Sequence, residues 1–158
     1  MINSVLWYPI GERLVEFLKS YRYDDGRRLF EYLTDRDVMQ FRFGSGNTGE
    51  FPAVWVLFGE ETDTEKQSQR TGSIIQYWVD IYVKNEQTPD MTYDSWLYAQ
   101  LYQIEQELTF VLKEFNIKLQ RDFKLGSLCK VKTILSDGDE NYSATAMNRA
   151  VVEIEWYR

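Results

Sequence analysis

"GSIIQYWVDIYVKN", residues 72–85, is the clearest alternating segment of the chain. Every second residue of a strand lies on the same face, and one face here is apolar, formed by Ile75, Tyr77, Val79, Ile81 and Val83. The other face mixes polar and aromatic residues, namely Gln76, Trp78, Asp80, Tyr82 and Lys84. A face that is simply in contact with water needs no Trp or Tyr. The pattern therefore predicts a strand whose second face is covered as well, and the cover decides whether the chain acts alone.

The composition is typical of one globular domain. The chain has 158 residues, enough to bury a substantial core, and 44% of them are apolar. Aromatic residues make up 16% of the chain, including eleven Tyr. Aromatic side chains with a polar group are frequent where proteins meet proteins. We therefore favour a protein interface over a purely aromatic core as the reason for this excess.

Charge and hydropathy disfavour two classes of partner. The 18 basic and 25 acidic residues give a net charge of −7, which does not match the basic surface of a protein that grips nucleic acid. No apolar run approaches the roughly 20 residues that a membrane span needs. The first residues, "MINSVLWYPIGE", have no basic region ahead of an apolar one, as a secretory signal would. We expect no membrane partner.

The residues that usually carry catalysis are scarce. Histidine is absent, which excludes Ser-His and Cys-His nucleophiles within this chain. The single cysteine, Cys129, cannot form an internal disulfide, and its apolar neighbours predict a buried, inert thiol. Asp137, Asp139 and Glu140 in "SDGDEN" lack the spacing of a calcium-binding loop and are better explained as a turn. We therefore predict no enzymatic activity, no cofactor and no metal site.

Periodicity predicts two helices and four strands. The helices run from Pro9 to Tyr21 and from Thr92 or Asp94 to about Phe115. The second has an apolar stripe of Leu97, Leu101, Ile104, Leu108, Val111, Leu112 and Phe115. The strands are predicted at 51–61, 73–84, 127–137 and 148–158. Residues 28–43 are left open between a short helix and extended chain, 59–72 form a long polar arm, and 116–127 form a connector.

This order predicts one α+β domain over residues 1–158. Its helices pack on one face of a mainly antiparallel four-stranded sheet, in the order α-β-β-α-β-β. Nothing else in the chain is expected to cover the other face, which bears Trp55, Trp78 and Tyr82. An uncovered aromatic patch on a folded protein usually marks a binding surface.

The chain resembles the tail terminator, or tail completion, proteins of tailed phages and related contractile particles. The resemblance rests on the order of the predicted elements and on the residue pattern of the strands, and it covers nearly the whole chain. A short helix precedes the strand "FPAVWVLFGEE" (51–61), a polar arm leads to "IIQYWVDIYVKN" (74–85), and "SWLYAQLYQIEQELTFVLKEF" (95–115) forms a central helix. The polar segment and strand "DGDENYSATAMNRAVVEIEWYR" (137–158) close the chain.

This resemblance implies a structural subunit of the virion tail or neck, assembled in the host cytoplasm. Copies of the chain would form a ring, typically six-fold, that caps the tail tube protein and joins it to the head-side connector protein. DNA would pass through the acidic lumen of the ring without specific binding. The candidate contacts between subunits are the aromatic face and the polar arm, with Trp55, Trp78, Tyr82, Glu60, Glu61, Asp63, Lys66 and Arg70 as candidate interface residues.

Other functions remain open at this point. The chain could be a different head–tail joining subunit, or a tail tube or baseplate component, although tube and baseplate components usually have more strands. A monomeric binding adaptor would use the same aromatic face. A metal-dependent enzyme built on Asp137 and Asp139 is the third alternative. If Trp78 lies at an interface, Trp78→Asp should abolish assembly and leave the fold intact.

Overall fold

The computed structural model describes residues 6–31, 40–44, 53–63, 72–84, 93–124, 126–134 and 145–157. In chain order its elements are α1 (Trp7–Ser20), β1 (Gln40–Phe43), β2 (Ala53–Asp63), β3 (Gly72–Lys84), α2 (Tyr93–Phe123), β4 (Gly126–Ile134) and β5 (Thr145–Tyr157). The predicted strands and helices are all present, with different ends, and one further strand joins them.

The described strands form one five-stranded mixed sheet in the order β1-β2-β3-β5-β4. β1 runs parallel to β2, whereas the other neighbours pair antiparallel. The α+β class is confirmed, but the four-stranded sheet and the α-β-β-α-β-β order are wrong in detail. The extra strand, β1, is the end of the ambiguous segment 28–43. Four residues are too few for periodicity to separate a strand from a helix.

Both described helices cover the same face of the sheet. Their buried residues form one apolar cluster with Ile75, Tyr77, Val79 and Ile81 of β3, as its alternation predicts, and with Ala150, Val152, Ile154 and Trp156 of β5. The helices run antiparallel, since Arg13 of α1 contacts Asp122 late in α2, whereas Tyr23, beyond α1, stacks on Phe110. Neither described helix has an apolar stretch that could cross a membrane.

α2 is about two turns longer than predicted. Most of the expected connector 116–127 is helical, and the buried Leu119 extends the apolar stripe of α2 beyond Phe115. The segment lacks Gly and Pro until Gly126, so nothing in it ends the helix earlier. Lys124 then adopts a left-handed φ of 54°, a common way to end a helix.

The predicted polar arm 59–72 is shorter than expected. Its first five residues belong to β2, which pairs with β3 as far as Asp63 opposite Ser73. An irregularity at Gly59, between Phe58 and Glu60, shifts the register and lets the pairing continue. Residues 64–71 of the arm lie outside the described part of the chain.

The start of the ambiguous segment forms a turn and no α-helix over residues 28–31. Leu29 and Phe30 are buried there, and Phe30 adopts a left-handed φ of 61°. Residues 32–39 lie outside the description, so the rest of the predicted helix stays a prediction.

Candidate subunit-interface site

The face of the sheet opposite the helices is organised around one row of side chains. Arg42 of β1 lies opposite Trp55 of β2, which lies opposite Asp80 of β3, which lies opposite Arg149 of β5. Cross-strand partners share a face, so the four side chains form a continuous row across the sheet. We call this surface the reverse face.

A buried ion pair lies in the middle of the reverse face. The guanidinium of Arg149 donates two hydrogen bonds to the Asp80 carboxylate, from Nε to Oδ1 at 2.7 Å and from Nη2 to Oδ2 at 2.8 Å. The Asp80 side chain is only 1% exposed, whereas that of Arg149 is 28% exposed. Arg149 also lies over the ring of Trp78, 4.4 Å from its centroid. The bidentate pairing with Arg149 offsets the desolvation cost of burying the Asp80 carboxylate.

The expected uncovered aromatic face is wrong for Trp55. Trp55 is only 6% exposed, so other residues of the same chain bury it, and the guanidinium of Arg42 lies 5.8 Å from its ring centroid. Trp78 is half-buried beneath Arg149. The backbone of Tyr82 pairs with Ala53 and Met147, but its side chain lies outside the described residues. The rings of Trp55 and Trp78 therefore offer a partner much less area than the alternation indicated.

The acidic interface candidates lie on β2. Glu60 is exposed opposite Gln76, and Glu61 is half-buried opposite Ile75 on the face that the helices cover. Asp63 is paired through its backbone, but its side chain, like the whole of Lys66 and Arg70, lies outside the described residues. Among the candidate residues whose side chains are described, the structure places Trp55, Trp78 and Glu60 on the reverse face and Glu61 on the opposite one.

A cluster of four aromatic rings, which the sequence reasoning missed, lies where α1 begins. Trp7 stacks on Phe58 with ring centroids 4.4 Å apart, and Tyr8 stacks on Phe43 at 5.7 Å. Tyr8 is 54% and Phe58 36% exposed. Gly11 allows this approach, because a Cβ there would come within 2.3 Å of the Phe43 ring. We call these four residues the aromatic corner.

A groove at the other end of α1 was also missed. It measures about 740 Å³ and lies between residues 23–31 and α2, lined by Tyr23, Arg27, Arg28, Glu31, Tyr102, Gln103, Gln106, Glu107 and Phe110. Tyr102 is 65% and Phe110 60% exposed, although the outward side of a surface helix is usually polar. Tyr23 stacks on Phe110 at 6.4 Å. We call this feature the α2 groove.

Glu107 of α2 connects the helix to residues 23–31, on the other side of the α2 groove. Its Oε1 accepts a hydrogen bond from the Tyr23 hydroxyl at 2.7 Å and another from the backbone N–H of Phe30 at 3.1 Å. Its Oε2 is buried with no hydrogen-bond partner in the described part of the chain. Burial, followed by the bond to Glu107, raises the pKa of Tyr23 above its ordinary value, so the phenol stays protonated and donates. The sequence signal was a single Glu off the apolar stripe, which pattern alone takes for a solvated residue.

Chemistry beyond binding finds no support among the described residues. Within them, no three Cys, Asp or Glu side chains are grouped so that they could hold a metal ion. Asp137, Asp139 and Glu140 lie outside the description. Burial raises the pKa of the Cys129 thiol to about 12, and its sulfur lies 3.7 Å from Asn116 Oδ1. A thiol with this pKa is a poor nucleophile at neutral pH.

No protein-family model matches the chain, and no curated protein sequence matches it significantly.

Proposed function

We propose that the chain is the subunit of a ring that terminates a phage-type tail tube. Its partners are further copies of itself, the tail tube protein and the head-side connector protein. The activity is structural: the ring stops growth of the tube and provides the surface to which the head joins.

The observation that carries the proposal is that exposed aromatic side chains form two separate patches, the aromatic corner and the α2 groove, while other large apolar side chains, among them Ile117, Leu128 and Tyr157, are exposed outside them. The aromatic corner lies at the first turn of α1, and the α2 groove lies beyond its last turn. A helix of 14 residues separates them by about 20 Å. A ring subunit needs one surface for the neighbour on each side, whereas a two-fold dimer needs one surface that pairs with itself. Two different patches fit the first arrangement.

The order of elements also supports the proposal. A short first helix, a long antiparallel strand pair, a long central helix and a closing strand pair are the features of the resemblance described above. β1 is an addition to that order, at the edge of the sheet beside the aromatic corner.

The charge of the chain fits passage of DNA through such a ring. A net charge of −7 on each subunit gives an assembled ring a strongly negative potential, which repels the phosphate backbone. DNA can then move through the lumen without being held.

The test is the mass of the assembled protein. Light scattering and native mass spectrometry of the purified chain, alone and with its tube protein, should give a closed species of about six times the 18.8 kDa subunit mass. The ring should also stop tube growth when added to polymerising tube protein. A monomer under both conditions would reject the proposal and favour the binding adaptor.

A further inference from the structure

Resting on the ring proposed above, we infer that the aromatic corner of one subunit docks in the α2 groove of the next. In this contact the carboxylate of Glu61 from the first subunit faces the guanidinium of Arg28 from the second. The bound partner is thus a second copy of this chain, and the contact joins two different surfaces.

The aromatic corner has acidic neighbours. Glu12 lies one helical turn after the exposed Tyr8, on the same side of α1. Glu61 lies opposite Ile75, two residues along β3 from Tyr77 and on the same face of the sheet, and the Tyr77 hydroxyl donates to the backbone oxygen of Trp7. The corner is therefore an apolar surface with two carboxylates beside it.

In the α2 groove, the guanidinium of Arg28 forms no ion pair with a described residue, although the carboxylates of Glu31 and Glu107 also line the groove. Asp25 is bound to Arg27 at 2.6 Å, and a carboxylate oxygen of Glu31 accepts the backbone N–H of Arg28 at 2.8 Å. Glu107 is bound to Tyr23 and Phe30, as described above. The lining thus carries two guanidinium groups and two carboxylates, and the guanidinium of Arg28, beside the aromatic wall, is the cation with which an incoming carboxylate can pair.

The walls of the groove suit aromatic rings. Tyr102 and Phe110 expose most of their surface, and Tyr23 already stacks on Phe110. Aromatic pairs with stacked or edge-to-face geometry are more favourable than their buried area alone accounts for. The exposed rings of Tyr8 and Phe58 would find such partners in the groove.

Charge complementarity is the reason for choosing a second copy as the partner. Two copies with a net charge of −7 repel each other at most orientations. A productive contact therefore needs opposite charges at the place where the copies meet. The pairing of Glu61 with Arg28 provides this, and it also fixes which end of one subunit meets which end of the next.

The test exchanges the two charges. Association of the full-length chain is measured by analytical ultracentrifugation for wild type, Arg28→Glu, Glu61→Arg and the double variant. Each single reversal should weaken association about tenfold, because it places like charges opposite each other. The double variant should restore association, because the attraction returns with its sign exchanged. Glu16→Arg, exposed midway along α1, makes the same change in net charge as Glu61→Arg and should leave association unchanged.

The outcomes separate this contact from the ring itself. A wild-type chain that assembles, with both single variants assembling equally well, overturns the contact and leaves the ring proposal standing. Loss in the single variants without rescue in the double variant also overturns the pairing. A wild-type chain that stays monomeric, alone and with tube protein, rejects the ring and this contact together. Thermal melts of each variant identify any loss that is due to unfolding.

Discussion

The two faces of β3 are buried in different ways. On one face, Tyr77, Val79 and Ile81 pack under α1 and α2 in a core made of apolar side chains. On the other, Asp80 is equally buried, but a bidentate Arg149 encloses it and the Trp78 ring lies against that Arg. The sequence has aromatic residues on both faces. An aromatic residue opposite the core therefore does not by itself mark an open surface, because a long cation from a neighbouring strand can cover it.

The largest effect is expected from removing the cation of the reverse face. Arg149→Ala leaves the carboxylate of Asp80 buried and unpaired, which should lower the free energy of unfolding by about 3–5 kcal/mol. Asp80→Ala should cost less, because the Arg149 side chain is 28% exposed and can turn toward water. Urea denaturation of both variants and of the double variant measures the asymmetry. A loss below about 1 kcal/mol for Arg149→Ala would mean that the pair does not stabilise this face.

A cavity under the helices should have the next largest effect. Ile81→Ala removes a fully buried side chain from the helix-covered face and should destabilise the chain by about 2–5 kcal/mol. Ile81→Val is the matched control and should cost about 0.5–1.5 kcal/mol. Equal effects of the two variants would show that the site collapses around the deletion, and the face would be less rigid than described.

A smaller effect is expected for the ring on the reverse face. Trp78→Leu keeps an apolar cover but removes the ring under Arg149, so its cost should be about 1–2 kcal/mol, the range of a partly desolvated cation–π contact. In the Arg149→Lys background the same substitution should cost less, since the Lys ammonium cannot stack on the Trp78 ring as the planar guanidinium does. If Trp78→Leu leaves the free energy of unfolding unchanged, the ring does not stabilise Arg149, and Asp80 alone holds its guanidinium in place.

The last prediction concerns Cys129, on the helix-covered face of β4 opposite Ile154. Burial raises the pKa of its thiol from about 9 to about 12. Because the folded pKa is the higher one, the protonated thiol keeps its full contribution below pH 9 and loses it as the pH rises toward 12. Between pH 9 and 10, the stability of wild type should fall by up to about 1.4 kcal/mol more than that of Cys129→Ala. If the stability of wild type and that of Cys129→Ala fell equally with pH, the thiol would be hydrated in the folded chain.

The sequence was informative where one pattern repeats over many residues. The alternation in β3 and the stripe of α2 predicted the buried face of each element correctly, because thirteen- and thirty-one-residue elements contain several periods. β1 has only four residues, which are too few for its alternation to be recognised. The partner of Asp80 also could not be read from the pattern, since Arg149 lies 69 residues away and register decides that they meet. Periodicity tells which side a residue faces, but it does not tell what covers that side.

The aromatic corner and the α2 groove show the same limit. Trp7 and Phe58 are distant in sequence, and only the packing of α1 beside β1 and β2 brings their rings within 4.4 Å. Glu107 looked like a solvated residue, because nothing in the helix pattern predicts the turn at 23–31 that binds it. Both features depend on contacts between elements that are far apart in the chain.

If two different ends of the subunit join copies into a ring, mixing one variant blocked at the first end with another blocked at the second should leave a single contact. Phe58→Asp blocks the aromatic corner and Phe110→Asp blocks the α2 groove, so each variant alone should be monomeric. An equimolar mixture has one intact contact, and native mass spectrometry should show a species of twice the 18.8 kDa subunit mass and nothing larger. Full rings in the mixture, or monomers only, would contradict the account.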